Sequence, residues 1–145
     1  MIFWMLLACT DPKDTASEIA PEWQGWDLLS AGPFQVGHRL LEHKYTPFDG
    51  AETRTIMIDL WYPTEDTVGD SGSYLYGFDD RVFEDADPAA PVHVDGYPVH
   101  VHSHGYQGWG ASSAFLMRHF ASHGWVALAP NHTGNLLGDH QSPLP

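Results

Sequence analysis

Basic residues are scarce in this chain of 145 residues, which has 6 Lys and Arg against 19 Asp and Glu and a formal net charge of −13 at pH 7. Clustered positive charge is needed to bind the phosphates of DNA or RNA, so nucleic-acid binding is excluded. Cysteine is almost absent as well. Cys9 stands alone, which excludes an intramolecular disulfide and a cysteine-based zinc site. No internal repeat is found.

The residues that are abundant describe a folded, turn-rich protein. Hydrophobic residues make up 43% of the chain and aromatic residues 13%, which is enough to build a core. The 14 glycines and 11 prolines predict many turns and argue against a helical bundle. The length corresponds to one ordinary domain, or to part of a larger one.

The chain begins with a continuous apolar run, Ile2 to Ala8, that ends at Cys9. The run is far shorter than the roughly 20 residues of a membrane-spanning helix, so we interpret it as the end of a secretory signal. Leu6-Leu7-Ala8-Cys9 resembles a bacterial lipobox, although no Lys or Arg precedes the run. Residues 1–9 are then the signal and residues 10–31 an acidic tether. The protein is expected in the cell envelope, anchored to a bacterial membrane by a lipid on Cys9; the alternative is an apolar start with a chance cysteine.

Two extended segments follow, at residues 36–42 and 53–62. From Ile56 to Leu60 the second one alternates with the two-residue period of a strand. We expect Pro63 to end it, and the polar connection favours an antiparallel hairpin.

Residues 64–97 are acidic, rich in Gly and Pro, and show no sustained period. They predict a long surface excursion with one helical turn near residues 81–86. Its aromatic residues Tyr74, Tyr76 and Phe78 are expected to anchor the loop; the alternative is that they line a substrate entrance.

The last third of the chain predicts a strand–loop–helix–strand unit. In order, we expect a strand at residues 98–103, a glycine-rich loop at 104–110, a helix from a cap on Ser112 or Ser113 to about His123, and a strand at 125–129. The last strand is continuously apolar, as in a parallel sheet covered on both faces. Such a βαβ crossover places the protein in the α/β class.

The glycine-rich loop admits three functions, because exposed backbone N–H groups before a helix can hold negative charge. Nucleotide binding is weakly supported. Gly105, Gly108 and Gly110 match neither G-x-G-x-x-G nor G-x-x-x-x-G-K-[ST], the two phosphate-binding motifs, and no Lys follows them. A metal site is suggested by the histidines around the loop, but their spacing matches no fixed metal motif. These are His100, His102, His104, His119, His123, His132 and His140. The third function is acyl transfer.

Acyl transfer is favoured by a resemblance to a known family. Residues 98–105 (PVHVHSHG) and 120–132 (FASHGWVALAPNH) resemble the N-terminal half of an α/β-hydrolase. The resemblance is to the platelet-activating-factor acetylhydrolase-like and dienelactone-hydrolase-like branch, whose members often carry a "WYP" after their second strand, as at residues 61–63 here. It covers about residues 32–135, apart from residues 64–97.

The resemblance implies a role for the loop. In that family the residue after the His-Gly pair donates its backbone N–H to the oxyanion hole. Carried over, the donor is Tyr106, while His104 and Gly105 shape the loop; hydrogen bonding is the role we expect for His104. The family also implies carboxylic-ester substrates, such as short-acyl or oxidised phospholipid esters, and no cofactor.

The nucleophile of such an enzyme is missing from the sequence. No G-x-S-x-G elbow occurs, Ser103 precedes the loop, and Ser112 and Ser113 are explained by helix capping, so all three are rejected as nucleophiles. We therefore interpret residues 32–145 as a partial domain, truncated before the strand that carries the nucleophile, with the acid and base also beyond Pro145. The fragment alone is expected to be inactive, with an apolar sheet edge at residues 99–101. The alternatives are a non-catalytic surface lipoprotein and a His-rich metal-dependent hydrolase.

Overall fold

The computed structural model describes residues 25–74, 77–136 and 139. Several predictions concern residues outside these ranges, namely the signal with Cys9, residues 10–24 of the tether, Tyr76 and His140. Within the described ranges, no helix has the length and apolar character needed to cross a membrane.

Six strands and one α-helix form the described part of the chain. The strands are β1 Gln35–Tyr45, β2 Arg54–Thr64, β3 Ser71–Tyr74, β4 Gly77–Glu84, β5 Val99–Val101 and β6 Val126–Asn131, and the helix is α1 Ala114–Ser122. They make one mixed sheet in the order β3-β4-β1-β2-β6-β5. The α/β class predicted from the sequence is therefore confirmed.

The hairpin predicted from the alternating segments is confirmed, and both of its strands are longer than expected. β1 and β2 pair antiparallel from Gln35 with Thr64 to Tyr45 with Arg54. The prediction that Pro63 ends β2 is wrong: the strand continues to Thr64, and the Pro63 carbonyl accepts a hydrogen bond from the Ala89 N–H at 2.9 Å. Proline is tolerated here because it only has to accept.

Residues 64–97 are not the surface excursion that the sequence predicts, since β3 and β4 extend the sheet. The helical turn expected at residues 81–86 is wrong, because β4 continues to Glu84 and pairs parallel with β1. Val82 is fully buried at this junction. Strand character was missed because the inward-facing positions of β4 include Asp79, a residue type that is depleted in strands.

Asp79 is buried because four groups satisfy its carboxylate. The Arg118 guanidinium donates to it from α1 at 3.2 Å, and the Arg81 side chain and backbone N–H donate at 3.1 Å each. The Tyr74 hydroxyl donates at 3.2 Å and accepts from the Trp61 indole N–H at 2.9 Å. Tyr74 therefore anchors its segment, as expected, whereas Phe78 is 83% exposed and does not.

The predicted βαβ crossover is confirmed, since β5 and β6 are parallel neighbours joined through α1. Ser113 is the N-cap residue, one of the two positions expected, but its side chain makes no capping hydrogen bond, and a 3₁₀ turn at Gly110–Ser113 precedes the helix. Met117 and Ala121 pack into the core. Ser122 is also buried, and its hydroxyl accepts from the Gly32 N–H at 3.0 Å.

The last residues of the predicted tether pack against the fold, whereas the edge strand β5 is partly exposed. The end of the predicted tether is part of the fold, because Trp26 packs against Phe34 and His123 with ring centroids 6.1 and 5.9 Å apart. β5 is an edge strand of the sheet with a neighbour on one side, and its Val99 and Val101 are 57% and 62% exposed. This is the apolar edge that the sequence predicts.

Replacing Asp79 with Asn tests the buried ion cluster. The change leaves the Arg118 guanidinium without a buried counter-charge, so the free energy of unfolding should fall by about 3 kcal/mol, measured by urea denaturation. Burial opposes the charge on Asp79, but the hydrogen bonds from Arg81 and the positive charge of Arg118 outweigh it and lower the pKa of Asp79. The stability is therefore present above about pH 4 and is lost as the pH falls through the lowered pKa.

Asp80→Asn is the matched control, because Asp80 is the exposed neighbour in the sequence. It should leave the free energy of unfolding within about 0.5 kcal/mol of wild type. A difference between wild type and Asp79→Asn that stays constant from pH 7 down to about pH 2 would contradict the argument, since the charge would then not be its source.

Candidate active site

The glycine-rich loop, residues 104–110, begins at the carboxyl end of β5 and leads through the 3₁₀ turn into α1. The carboxyl end of β6 lies at the same edge, because β5 and β6 run parallel. Ligands of open α/β sheets bind at the carboxyl ends of strands. The loop and the residues that follow β6 therefore make up the candidate site.

His104 joins the loop to the end of β6. Its buried ring donates from Nδ1 to the Gly105 carbonyl at 2.9 Å and accepts at Nε2 from the backbone N–H of His132 at 3.0 Å. One donor and one acceptor are the pattern of a neutral imidazole. With both nitrogens occupied, His104 orients the loop and is not placed to transfer a proton.

Tyr106 lies on a tight turn in which the next two amides, those of Gln107 and Gly108, have acceptors. The Gly108 N–H donates to the Gly105 carbonyl at 3.0 Å, and Gln107 has a left-handed φ of 56°. The Gln107 N–H donates to Oδ1 of Asn135 at 3.3 Å. No described residue accepts a hydrogen bond from the Tyr106 N–H, so this donor is available on a turn that is otherwise held.

The far end of the loop is held by Asn131, the last residue of β6. Its Oδ1 accepts from the Gly110 N–H at 2.8 Å. A Cβ on Gly110 would lie 2.5 Å from the Ala129 carbonyl oxygen and 2.7 Å from Oδ2 of Asp59, so only glycine fits. Gly110 is recognisable in the sequence from the spacing of the glycines, whereas no local pattern marks Asn131.

Behind Asn131 lies a chain of buried polar groups that crosses the sheet. The Asn131 amide donates to Oδ2 of Asp59 at 2.9 Å, and Oδ1 of Asp59 is 3.1 Å from Nε2 of His38. Nδ1 of His38 is 3.1 Å from the Glu84 carboxylate. Burial opposes a charge on His38, but the hydrogen bonds to Asp59 and Glu84 outweigh it and raise the pKa of His38.

The sequence offered one signal for this chain of groups. Asp59 is the only charged residue in the apolar run from Ile56 to Tyr62, and a carboxylate in a buried strand needs a partner. Its partners His38 and Asn131 are 21 and 72 residues away along the chain, so no local pattern connects them.

The other histidines of the described residues form no metal site, although His119 and His123 lie in ring contact, with centroids 4.5 Å apart. His100 stacks on Phe120 with ring centroids 4.3 Å apart, and burial, with His100 and His104 nearby, lowers the pKa of His102. His123 is 2.8 Å from the His119 carbonyl through Nδ1. Among residues 25–74, 77–136 and 139, no three His, Cys, Asp or Glu side chains are grouped so that they could hold a metal ion.

Ser103 and His132, 29 residues apart in the sequence, form a hydrogen-bonded pair that no local pattern predicts. The Ser103 hydroxyl lies 2.7 Å from Nε2 of His132, beside the loop. The His132 ring also packs against His104, with centroids 4.6 Å apart. No carboxylate of the described residues contacts His132, so nothing in that part of the chain orients its ring as the third member of a triad does.

A cavity of about 480 Å³ lies at the opposite end of the sheet, among residues that include Trp26, Tyr97 and Trp125. It adjoins Pro98 and Gly124, which precede β5 and β6. The cavity is therefore at the amino ends of these strands and is not part of the candidate site.

Comparisons with known proteins place the fold. No protein-family model matches the sequence, and no significant match is found among curated proteins. Among solved structures, the chain is similar to the ferulic acid esterase from Streptomyces cinnamoneus, with a TM-score of 0.60 and 23% sequence identity. The similarity covers 73% of this chain and 36% of that one, so the chain spans about a third of the esterase's length. At this identity the match establishes a shared fold.

Replacing Gly110 with Ala tests the contact between the loop and the sheet. The added Cβ would collide with the Ala129 carbonyl and the Asp59 carboxylate, so the free energy of unfolding should fall by about 3 kcal/mol. Gly105→Ala is the control within the same loop, since a Cβ there meets nothing within 4 Å. It should cost less than about 0.5 kcal/mol. Equal losses for both variants in chemical denaturation would refute the proposed close approach at Gly110.

Proposed function

We propose that this chain is the N-terminal part of a serine esterase of the α/β-hydrolase type, in which the Tyr106 N–H supplies half of the oxyanion hole. The observation that carries the proposal is this unoccupied amide, on a loop held at both ends at the carboxyl edge of the sheet. His104 and Gly105 shape the loop, in line with the family resemblance of residues 98–105.

The fold supports the same class of enzyme. The order β1-β2-β6-β5 places the loop-bearing strand β5 at an edge, where a further parallel strand carrying a nucleophile can pair. The shared fold with a ferulic acid esterase favours a carboxylic-ester substrate. Short-acyl or oxidised phospholipid esters are the finer proposal, which rests on the family resemblance alone.

In the proposed reaction, a serine encoded beyond Pro145 attacks the ester carbonyl and its proton passes to a histidine held by a carboxylate. The carbonyl oxygen then carries negative charge. The Tyr106 N–H is placed to donate to that oxygen and is worth about 3 kcal/mol of the barrier. No cofactor takes part in this scheme. The DNA that follows the Pro145 codon should encode a G-x-S-x-G motif.

The proposed location is the cell envelope, with a lipid on Cys9 holding the enzyme at a membrane surface. Mass spectrometry of the protein from its native host should find a diacylglycerol on Cys9. An unmodified Cys9 would remove the anchor from the proposal and leave the esterase untouched.

Replacing Tyr106 with Pro in the full-length gene product tests the amide itself. Proline has no N–H, and it fits the second position of a turn whose third residue, Gln107, has a positive φ. We expect kcat for p-nitrophenyl acetate to fall by about 10²- to 10³-fold. Tyr106→Ala keeps the N–H and removes the ring, so it should lower kcat far less. Equal losses in kcat would contradict the proposed role.

A second candidate function uses residues within this chain. Ser103 and His132, with 2.7 Å between the hydroxyl and Nε2, have the spacing of a nucleophile and its base. The absence of an orienting carboxylate among the described residues makes this arrangement the weaker catalyst.

Assays of the 145-residue chain by itself distinguish the two candidates. If the nucleophile lies beyond Pro145, the purified chain should not hydrolyse p-nitrophenyl acetate above the buffer rate. If Ser103 is the nucleophile, the chain should turn over this ester, and Ser103→Ala should abolish the activity. The matched control is Ser112→Ala, which removes a hydroxyl on the 3₁₀ turn and should have no effect.

A further inference from the structure

We propose that Asn131 is a positioning residue for the esterase reaction. It sets the place of the glycine-rich loop through Gly110, and it takes its own orientation from buried Asp59 and His38 and from partly buried Glu84. The inference rests on the proposed function, because the loop is assigned the oxyanion donor there. Asn131 touches no reacting atom in this scheme and acts through the loop.

The amide of Asn131 can satisfy its neighbours in one orientation only. Gly110 presents an N–H, which requires the amide oxygen, and this oxygen lies 2.8 Å away. Asp59 presents a carboxylate oxygen, which requires the amide N–H₂, and this contact is 2.9 Å. Turning the amide over would face donor against donor and acceptor against acceptor, so the charge on Asp59 selects the orientation that holds Gly110.

The direction of Asp59 is set in turn by His38. The His38 ring is fully buried, and each of its nitrogens faces a carboxylate, Asp59 on β2 and Glu84 on β4. Tyr74 and Trp61 cover its faces, with ring centroids 4.9 and 5.3 Å away. Two facing carboxylates favour a ring that carries hydrogen on both nitrogens, which agrees with the raised pKa of His38.

This arrangement bears on the reaction because the loop is short. His104 holds its first residue to β6 and Asn131 holds its last, with Tyr106 between them. If the Gly110 end is released, the loop keeps the His104 end, the Gln107 contact and the packing of Trp109 against the core, but loses the contact that fixes its last residue. A shift of about 1 Å in a group that contacts the transition state costs on the order of 10²-fold in rate.

Exchanging the side chains of Asp59 and Asn131 tests which of the two must donate and which must accept. In Asn131→Asp, two carboxylates face each other, and they are compatible only while they share a proton. In the double variant Asp59→Asn/Asn131→Asp, the amide introduced on β2 donates to the carboxylate introduced on β6, and its oxygen accepts from His38. The introduced carboxylate also accepts from the Gly110 N–H. The donor and acceptor order of these three contacts is therefore restored, with the negative charge moved from β2 to β6. The long contact from the Asn131 amide to the Met57 carbonyl, at 3.4 Å, is lost in both variants.

In the full-length protein, we expect Asn131→Asp to lower kcat for p-nitrophenyl acetate about tenfold or more at about pH 8, with KM little changed. Relative to wild type at the same pH, the defect should shrink toward about pH 5, as the facing carboxylates gain a proton. The double variant should recover kcat to within about threefold of wild type at both pH values. Asp85→Asn, beside Glu84 but on the exposed Arg39 pair, is the control and should leave kcat unchanged.

Hydrogen exchange of the Gly110 amide, followed by NMR, gives a readout that does not depend on activity. It should be faster in Asn131→Asp and return to the wild-type rate in the double variant. If the Gly110 amide shows these exchange rates in wild type and both variants, but wild type hydrolyses no ester, the proposed function fails and the positioning contact stands. The inference is overturned if Asn131→Asp keeps wild-type kcat and Gly110 exchange, if it lowers only the melting temperature, or if the double variant fails to recover both.

Discussion

The buried carboxylate of Asp59 is the constraint on which the candidate site depends. It lies in the middle of the sheet on β2, 3% exposed, where an unpaired charge would cost several kcal/mol. His38 supplies the opposite charge, and Asn131 supplies a neutral donor. Because Gly110 packs against the same carboxylate, the central strands and the loop at the sheet edge share one set of polar contacts.

Two buried carboxylates connect neighbouring elements of the fold. Asp79 ties β4 to α1 through Arg118, and Asp59 ties β2 to β1 and β6 through His38 and Asn131. Asp59 follows the two-residue period of β2, since Trp61 is also buried, whereas Asp79 lies three residues before the buried Val82 on a strand whose pairing with β3 shifts register. Arg118 is the basic partner of Asp79. This chain has few Lys and Arg, and the basic partner of Asp59 is His38, whose raised pKa favours the charged ring.

The predictable parts of the structure are those with a local cause. Alternation predicted the β1–β2 hairpin, and the apolar strand after a glycine-terminated helix predicted the βαβ unit. β4 was missed because Asp79 and Glu84 point toward partners that are distant in sequence, so their burial has no local signature. Likewise Tyr106, His104 and Gly105 were identified through a motif, whereas Asn131 was missed because its role exists only once β6 lies beside the loop.

The availability of the Tyr106 N–H follows from how the rest of the loop is satisfied. The amides of Gln107, Gly108 and Gly110 all have acceptors, two of them asparagine side chains from the β6 side of the edge. Such contacts fix the turn before any ligand arrives, so donating to a developing oxyanion requires no reorganisation of the loop. A flexible loop with the same free amide would lose part of that benefit to the entropy of ordering it. In the proposed reaction, the Tyr106 N–H therefore depends on side chains that do not contact the substrate.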